Sequence, residues 1–126
     1  MATWDDVRMI AERLPEVTES GGQWRVRRRA FVWERPLRKA DLAALGDCAP
    51  DGPIVGAYVA DLGVKEALLS DDPHIYFTTP HFDGYAVVLA RLGRIALTEL
   101  DELVVESWLA RAPKRLAASY LAAGSG

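Results

Sequence analysis

The stretch QWRVRRRAFVWER, Gln23 to Arg35, decides the fold, because within it the apolar period changes from helical to alternating. In WRVR, Trp24 and Val26 share one face while Arg25 and Arg27 share the other; in AFVWE, Phe31 and Trp33 share a face. Two strands joined by a tight turn near Arg28 is the reading this pattern dictates. The turn has no Asn-Gly or Gly-Gly pair to supply positive φ, so its geometry stays open.

Upstream, Thr3 is a good N-cap for WDDVRMIAERL. Asp5 and Asp6 lie in the first turn, and Trp4, Val7, Ile10, Ala11 and Leu14 form one apolar stripe that Pro15 ends. Downstream, Pro36 to Gly46 reads as a short helix stopped by glycine, followed by the turn-rich loop DCAPDGP. Ile54 to Ala60 reads as a strand, Asp61 to Ser70 as a helix, and HIYFT and AVVLARL as two strands linked through Asp83-Gly84. Thr98 and Asp101 have the spacing of a capping box. Leu100, Leu103, Val104, Ser107 and Trp108 then share one face of a long helix that Pro113 breaks.

The order is α, β, β, short α, β, α, β, β, long α. Strands follow one another directly or through tight turns, which predicts an α+β, two-layer sandwich: a mainly antiparallel sheet of about five strands with helices on one face. Residues 1–122 make a single domain, and residues 123–126 are expected to be a frayed tail.

The 126 residues are half hydrophobic and a quarter charged, with net charge −3, the balance of a soluble globular chain. Cys48 is the only cysteine and cannot form an intrachain disulfide, and the acidic opening MATWDDVR is unlike a signal peptide. A cytoplasmic location is therefore expected. The strongest apolar run, AVVLA, is far short of the ~20 residues that cross a bilayer, so no membrane association is expected.

Charge is the most informative feature. Between Gln23 and Lys39 seven basic residues face the single acid Glu34, so the segment carries +6 in a chain of net −3 and leaves about −9 for the rest. Arg25, Arg27, Arg28, Arg29, Arg38 and Lys39 are candidates for phosphate contacts, and Arg111, Lys114 and Arg115 around Pro113 form a second basic cluster, of which Lys114 and Arg115 are also candidates. The competing expectation is that these cations pair with Glu99, Asp101, Glu102 and Glu106 of the long helix.

FTTPHFDGY, Phe77 to Tyr85, collects residue types common to active sites and to turns. His81 and Asp83 could move a proton, but no third group is visible beside them, and a surface turn explains both. His74, Asp71 and Asp72 lack the spacing of a metal-ligand set. Cys48 and the serines lack a nucleophile turn, and Ser20-Gly21-Gly22 has no following Gly-Lys-Ser/Thr to cradle phosphate. No catalytic residue, metal or cofactor is predicted. Trp24, His81, Phe82, Asp83 and Tyr85 are the candidates for an aromatic-lined cleft between sheet and helices.

The chain resembles the MmcQ/YjbR-like family of small bacterial proteins. The resemblance is carried by TWDDVRMIAERLPEVTE, the WRVRRRAFVWE hairpin, KEALLSDDPHIYFTTPHFDGYAVVLARL and ELVVESWLARAPKRL, and it covers roughly Thr3 to Leu121. It implies a two-layer α+β fold with an antiparallel sheet and DNA binding through a double-wing arrangement, the Trp24–Glu34 hairpin being one wing. Family members often have glycine at the hairpin tip, where this chain has Arg28 and Arg29. The function expected is thus a small non-enzymatic module that binds duplex DNA through phosphate contacts. The alternative is a ligand- or protein-binding domain using the aromatic cleft, and a third reading is an enzyme using His81 and Asp83.

Overall fold

The computed structural model describes residues 2–48 and 52–124. Helix α1 (Trp4–Glu12) starts where Thr3 accepts from the Asp6 N–H and the Asp6 carboxylate accepts from the Thr3 N–H, closing the capping box. A three-strand meander follows: β1 (Val17–Ser20), β2 (Gln23–Val26) and β3 (Arg29–Glu34). Then come α2 (Lys39–Leu45), β4 (Ile54–Tyr58), α3 (Leu62–Asp71), β5 (Tyr76–Phe77), β6 (Val87–Arg91), α4 (Leu97–Arg111) and α5 (Lys114–Gly124). Residues 49–51 of the loop after α2 lie outside the described residues, as does the Cys48 side chain.

The strands form one sheet in the order β1-β2-β3-β4-β6-β5, with every neighbouring pair antiparallel. This is the expected sheet-and-helix sandwich, with six strands where about five were predicted. The additional strand is β1. It joins β2 through Gly21 and Gly22, both at positive φ (59° and 80°), a turn matched to strand twist and open to glycine without strain. Three of its four residues are exposed, so it has no apolar alternation by which to be read.

One face of the sheet carries the main core. Trp24, Val26, Val55, Ala57, Val88 and Ala90 alternate along their strands to meet the stripes of α1 (Val7, Ile10, Ala11) and α4 (Leu100, Leu103, Val104, Trp108). Trp108 is fully buried, and its indole N–H donates to the Pro15 carbonyl at 3.1 Å, fixing α4 to the turn that ends α1. The reverse face carries a second cluster, in which Ile54, Phe77, Phe82, Val87 and Leu89 are partly covered by Leu37 and Leu45 at the two ends of the α2 segment.

Phe31 and Trp33 do not share a face. Trp24 opposes Val32 whereas Arg25 opposes Ala30, so Phe31 is the extra residue of a bulge. The bulge turns Phe31 and Val32 together into the main core and sends Trp33 to the reverse face, where it lies over Gly56. A Cβ at Gly56 would sit 2.5 Å from the Trp33 ring.

One boundary expectation is also corrected. Helix α4 starts at Leu97 behind Ala96, with no side-chain cap, so Thr98 stands inside the first turn rather than capping it. Helix α5 runs through Gly124, and residues 125–126 lie outside the described residues. The break between α4 and α5 falls where Pro113 demands it, with Ala112 extended at φ −67°, ψ 148°.

Candidate nucleic-acid interface

The tip of the β2–β3 hairpin and the start of α5 meet across an open groove of about 880 Å³. Arg27, Arg28, Arg29 and Lys114 stand along it, over apolar residues that include Val26, Leu109, Ala117 and Leu121. The fold brings them together because Val26 and Arg29 are directly paired across the hairpin and therefore share the helix-facing side. Pro113 turns the chain so that the Lys114, Ala117, Ala118 and Leu121 face of α5 lies against that side. Lys114 and Arg115 occupy the positive end of the α5 dipole, where cations cost rather than contribute a few tenths of a kcal/mol. Helix stability therefore does not account for their placement.

The basic residues divide by role. Arg28, Arg29, Lys114 and Arg115 are exposed and make no ion pair among the described residues. Arg115 is one residue off the groove-facing stripe and flanks it. Arg27 lines the groove but is committed: it donates to both carboxylate oxygens of Glu16, at 2.9 and 3.2 Å, and its backbone N–H donates to the Glu16 carbonyl. These hydrogen bonds hold the Glu16 carboxyl below its ordinary pKa and raise that of Arg27. Arg27 and Glu16 are the two non-glycine residues with positive φ, 55° and 57°, among the described residues, so the contact joins two strained points of the backbone.

Arg25 does not share a face with the groove. It alternates with Trp24 and Val26, points to the reverse side of the sheet, and donates to Gln23 there. Arg38 and Lys39 open α2, away from the groove. Arg35 is buried: it pairs with buried Asp41 at 3.0 Å, donates to the Pro36 carbonyl and stacks 5.2 Å from the Phe82 ring centroid. Burial pushes the Asp41 carboxyl up, but the Arg38 N–H, the Arg35 charge and hydrogen bonds outweigh it and leave the pKa lowered. Among the described residues, none of the hairpin arginines pairs with Glu99, Asp101, Glu102 or Glu106. Of those acids, Asp101 pairs with Arg13, the residue that caps the C-terminus of α1, at 3.7 Å.

The stretch FTTPHFDGY connects β5 to β6, as its turn residues predict, with a single helical turn at Pro80–Phe82 and Gly84 at φ +81°. Buried Lys65 of α3 clamps it, donating to the carbonyls of Phe82 (2.7 Å) and Tyr85 (2.9 Å). Burial lowers the Lys65 pKa, and the nearby Asp83 charge partly restores it. His81, Phe82 and Tyr85 border a shallow pocket of about 220 Å³ with Tyr58 and Val87, and Asp83 lies beside it in the same turn. Trp24 has no part in this pocket. It is buried in the main core on the other side of the sheet, stacked on Trp4 at 6.3 Å. Lys65 was missed in the sequence because its spacing is that of an ordinary helix residue.

A third concavity, about 480 Å³, lies between α3, α4 and the end of β4. Glu99, Glu102 and Glu106 border it together with Val64, Leu68 and Tyr76. The Tyr76 hydroxyl donates to Glu99 at 2.7 Å, and burial followed by this carboxylate's hydrogen bond and charge pushes its pKa far up. Among the described residues no three His, Cys, Asp or Glu side chains are gathered so as to hold a metal ion, and no helix is long and apolar enough to cross a membrane.

Fold and surface together define a two-layer α+β domain with a cationic, apolar-floored groove. The uncharacterized protein Rv2570 of Mycobacterium tuberculosis is 53% identical over 126 residues, covering 97% of this chain and 98% of its own length. The uncharacterized protein Mb2600 of Mycobacterium bovis matches to the same extent. The chain belongs to the family of these mycobacterial proteins. No family model matches it. Among solved structures, the DUF419 domain protein DR2400 of Deinococcus radiodurans has the same fold, with a TM-score of 0.64 over 86% of this chain and 78% of that one at 21% identity.

Proposed function

We propose that the protein is a small nucleic-acid-binding module that holds the phosphates of duplex DNA along the groove between the β2–β3 hairpin tip and α5. The observation that carries this reading is that Arg28, Arg29 and Lys114, from segments far apart in sequence, stand on one groove with no acid paired to them among the described residues. Arg115 flanks the groove, and the partial positive charge at the α5 N-terminus favours the same ligand. The sequence resemblance to the MmcQ/YjbR-like family implies the same function, and the Deinococcus protein, a DUF419 domain of that family, shares the fold.

The remaining acidic surface repels DNA, so affinity is modest and strongly salt-dependent. Three groove contacts predict a slope of about −2.7 for log K against log salt, from ~0.9 per phosphate. Fluorescence anisotropy with a labelled duplex across a salt series measures it. Absence of binding at low salt overturns the reading.

A second reading, a ligand-binding domain, is favoured by the 480 Å³ concavity. Three glutamates on its border select a cationic ligand with an apolar body, rather than the aromatic-lined cleft read from the sequence. Thermal-shift screening with such amphiphiles separates the two readings, because only occupancy of the concavity raises the melting temperature.

A further inference from the structure

The pocket of about 220 Å³ on the reverse face has a ring held out into water. Tyr85 is 63% exposed, yet its backbone is fixed at both ends. Its N–H donates to the Phe82 carbonyl at 3.1 Å, and its own carbonyl accepts from Val87 at 2.8 Å and from Lys65 at 2.9 Å. The His81 ring stands edge-on to Phe82, 4.8 Å away, and is itself exposed. The α3 helix thus holds two solvent-facing π systems over an apolar floor of Phe82 and Val87.

This pocket is joined to the groove by Arg111. Its guanidinium lies 4.0 Å from the centroid of the Tyr58 ring, which borders the pocket, and its Nε donates to the Ala30 carbonyl, next to Arg29, at 3.2 Å. Ala112 and Pro113, the next two residues, line the groove. Arg25 of β2 points to the same reverse side of the sheet as Tyr58 of β4, with β3 between them, and adds a second cation to that side. Asp83, the carboxylate of this turn, lies near enough to the Lys65 ammonium for its charge to favour the protonated form of Lys65.

We infer that the pocket seats a single unpaired nucleobase, stacked on Tyr85 beside His81, while the strand that carries it passes Arg111 to reach the groove. The inference rests on the nucleic-acid reading of the groove and narrows its substrate to duplex DNA with a single-stranded extension. Stacking on an aromatic face is indifferent to base identity, and flanking cations neutralise the backbone, so the preference is for strand state rather than sequence. The small volume and single exposed phenol ring suit one base.

The test compares a blunt duplex with the same duplex carrying a short 5′ or 3′ single-stranded tail, by anisotropy at fixed salt. Wild-type protein is expected to bind one tailed duplex at least about fivefold more tightly, the low end of what one base stacked on an aromatic ring contributes. Tyr85→Ala is expected to erase that preference and leave blunt-duplex affinity and its salt slope unchanged; Tyr85→Phe is expected to retain it. Equal wild-type affinity for blunt and both tailed duplexes overturns the base seat alone, as does a Tyr85→Ala variant that weakens all of them equally. If no duplex binds, the groove reading itself has failed, and the base seat with it.

Discussion

The ammonium of Lys65 donates to the Phe82 carbonyl at 2.7 Å, so a helix charge is spent inside the protein on holding one loop. Lys65→Met keeps the stem and removes the donor. Both carbonyls retain a backbone donor, so the loss is expected to be about 1–2 kcal/mol, a melting temperature lower by several degrees. Burial lowers the folded pKa of Lys65, so between that value and the ordinary 10.5 the unfolded chain binds the extra proton and stability rises with pH. The wild type should therefore gain on the Met variant as pH increases through that window, as read by urea unfolding at alkaline pH.

Arg35 and Asp41 form a buried pair whose removal is asymmetric. Arg35→Met leaves a carboxylate stranded beneath α2 and is expected to cost about 3–5 kcal/mol, whereas Arg35→Met with Asp41→Leu should recover most of it. The lowered Asp41 pKa means its contribution is complete above the ordinary value of 3.8 and is lost as pH falls through the folded pKa. Acid titration of wild type and Asp41→Asn checks this: the variant should show the shallower decline.

Charge reversal separates the groove from the rest of the basic surface. Arg28→Glu with Arg29→Glu is expected to weaken duplex binding at low salt by more than tenfold and to reduce the salt slope by about 2, near 0.9 for each phosphate no longer neutralised. Arg38→Glu with Lys39→Glu, away from the groove at the start of α2, should change affinity by less than threefold apart from the general change in net charge. Equal weakening by both pairs would show that total charge, rather than the groove, governs binding.

Gly56→Ala tests the second cluster. The added methyl meets the Trp33 ring at 2.5 Å, so the indole must leave the sheet surface, at a cost of about 1–3 kcal/mol. A shift in tryptophan fluorescence accompanying the lower urea midpoint would locate the damage at Trp33.

What the sequence disclosed follows from how local each signal is. The α4 face Leu100, Leu103, Val104, Ser107 and Trp108 is buried as its spacing predicts, because a long helix repeats its signal several times. Strand β1 escaped because Val-Thr-Glu-Ser has a single apolar residue, although Gly21-Gly22 after it carried the turn signal. The alternation of WRVR also stopped one residue early: Arg27 belongs to the turn, with φ 55°, so its side chain returns to Glu16 instead of sharing a face with Arg25. The bulge at Phe31 has no mark in composition, and it alone decides which face Trp33 takes. Both basic clusters were legible as charge, but their convergence depends on tertiary packing that no local pattern encodes.

The groove has its two walls at opposite ends of the chain, Val26 to Arg29 on one side and Leu109 to Leu121 on the other. A chain emerging from the ribosome carries the hairpin arginines long before Lys114 exists, and the meander of β1 to β3 can pair from local contacts alone. The opposing wall arrives only when α4 has docked and Pro113 has turned α5 back across the hairpin. The groove therefore exists only once α5 has been made and docked, and its presence reports that folding has reached that helix.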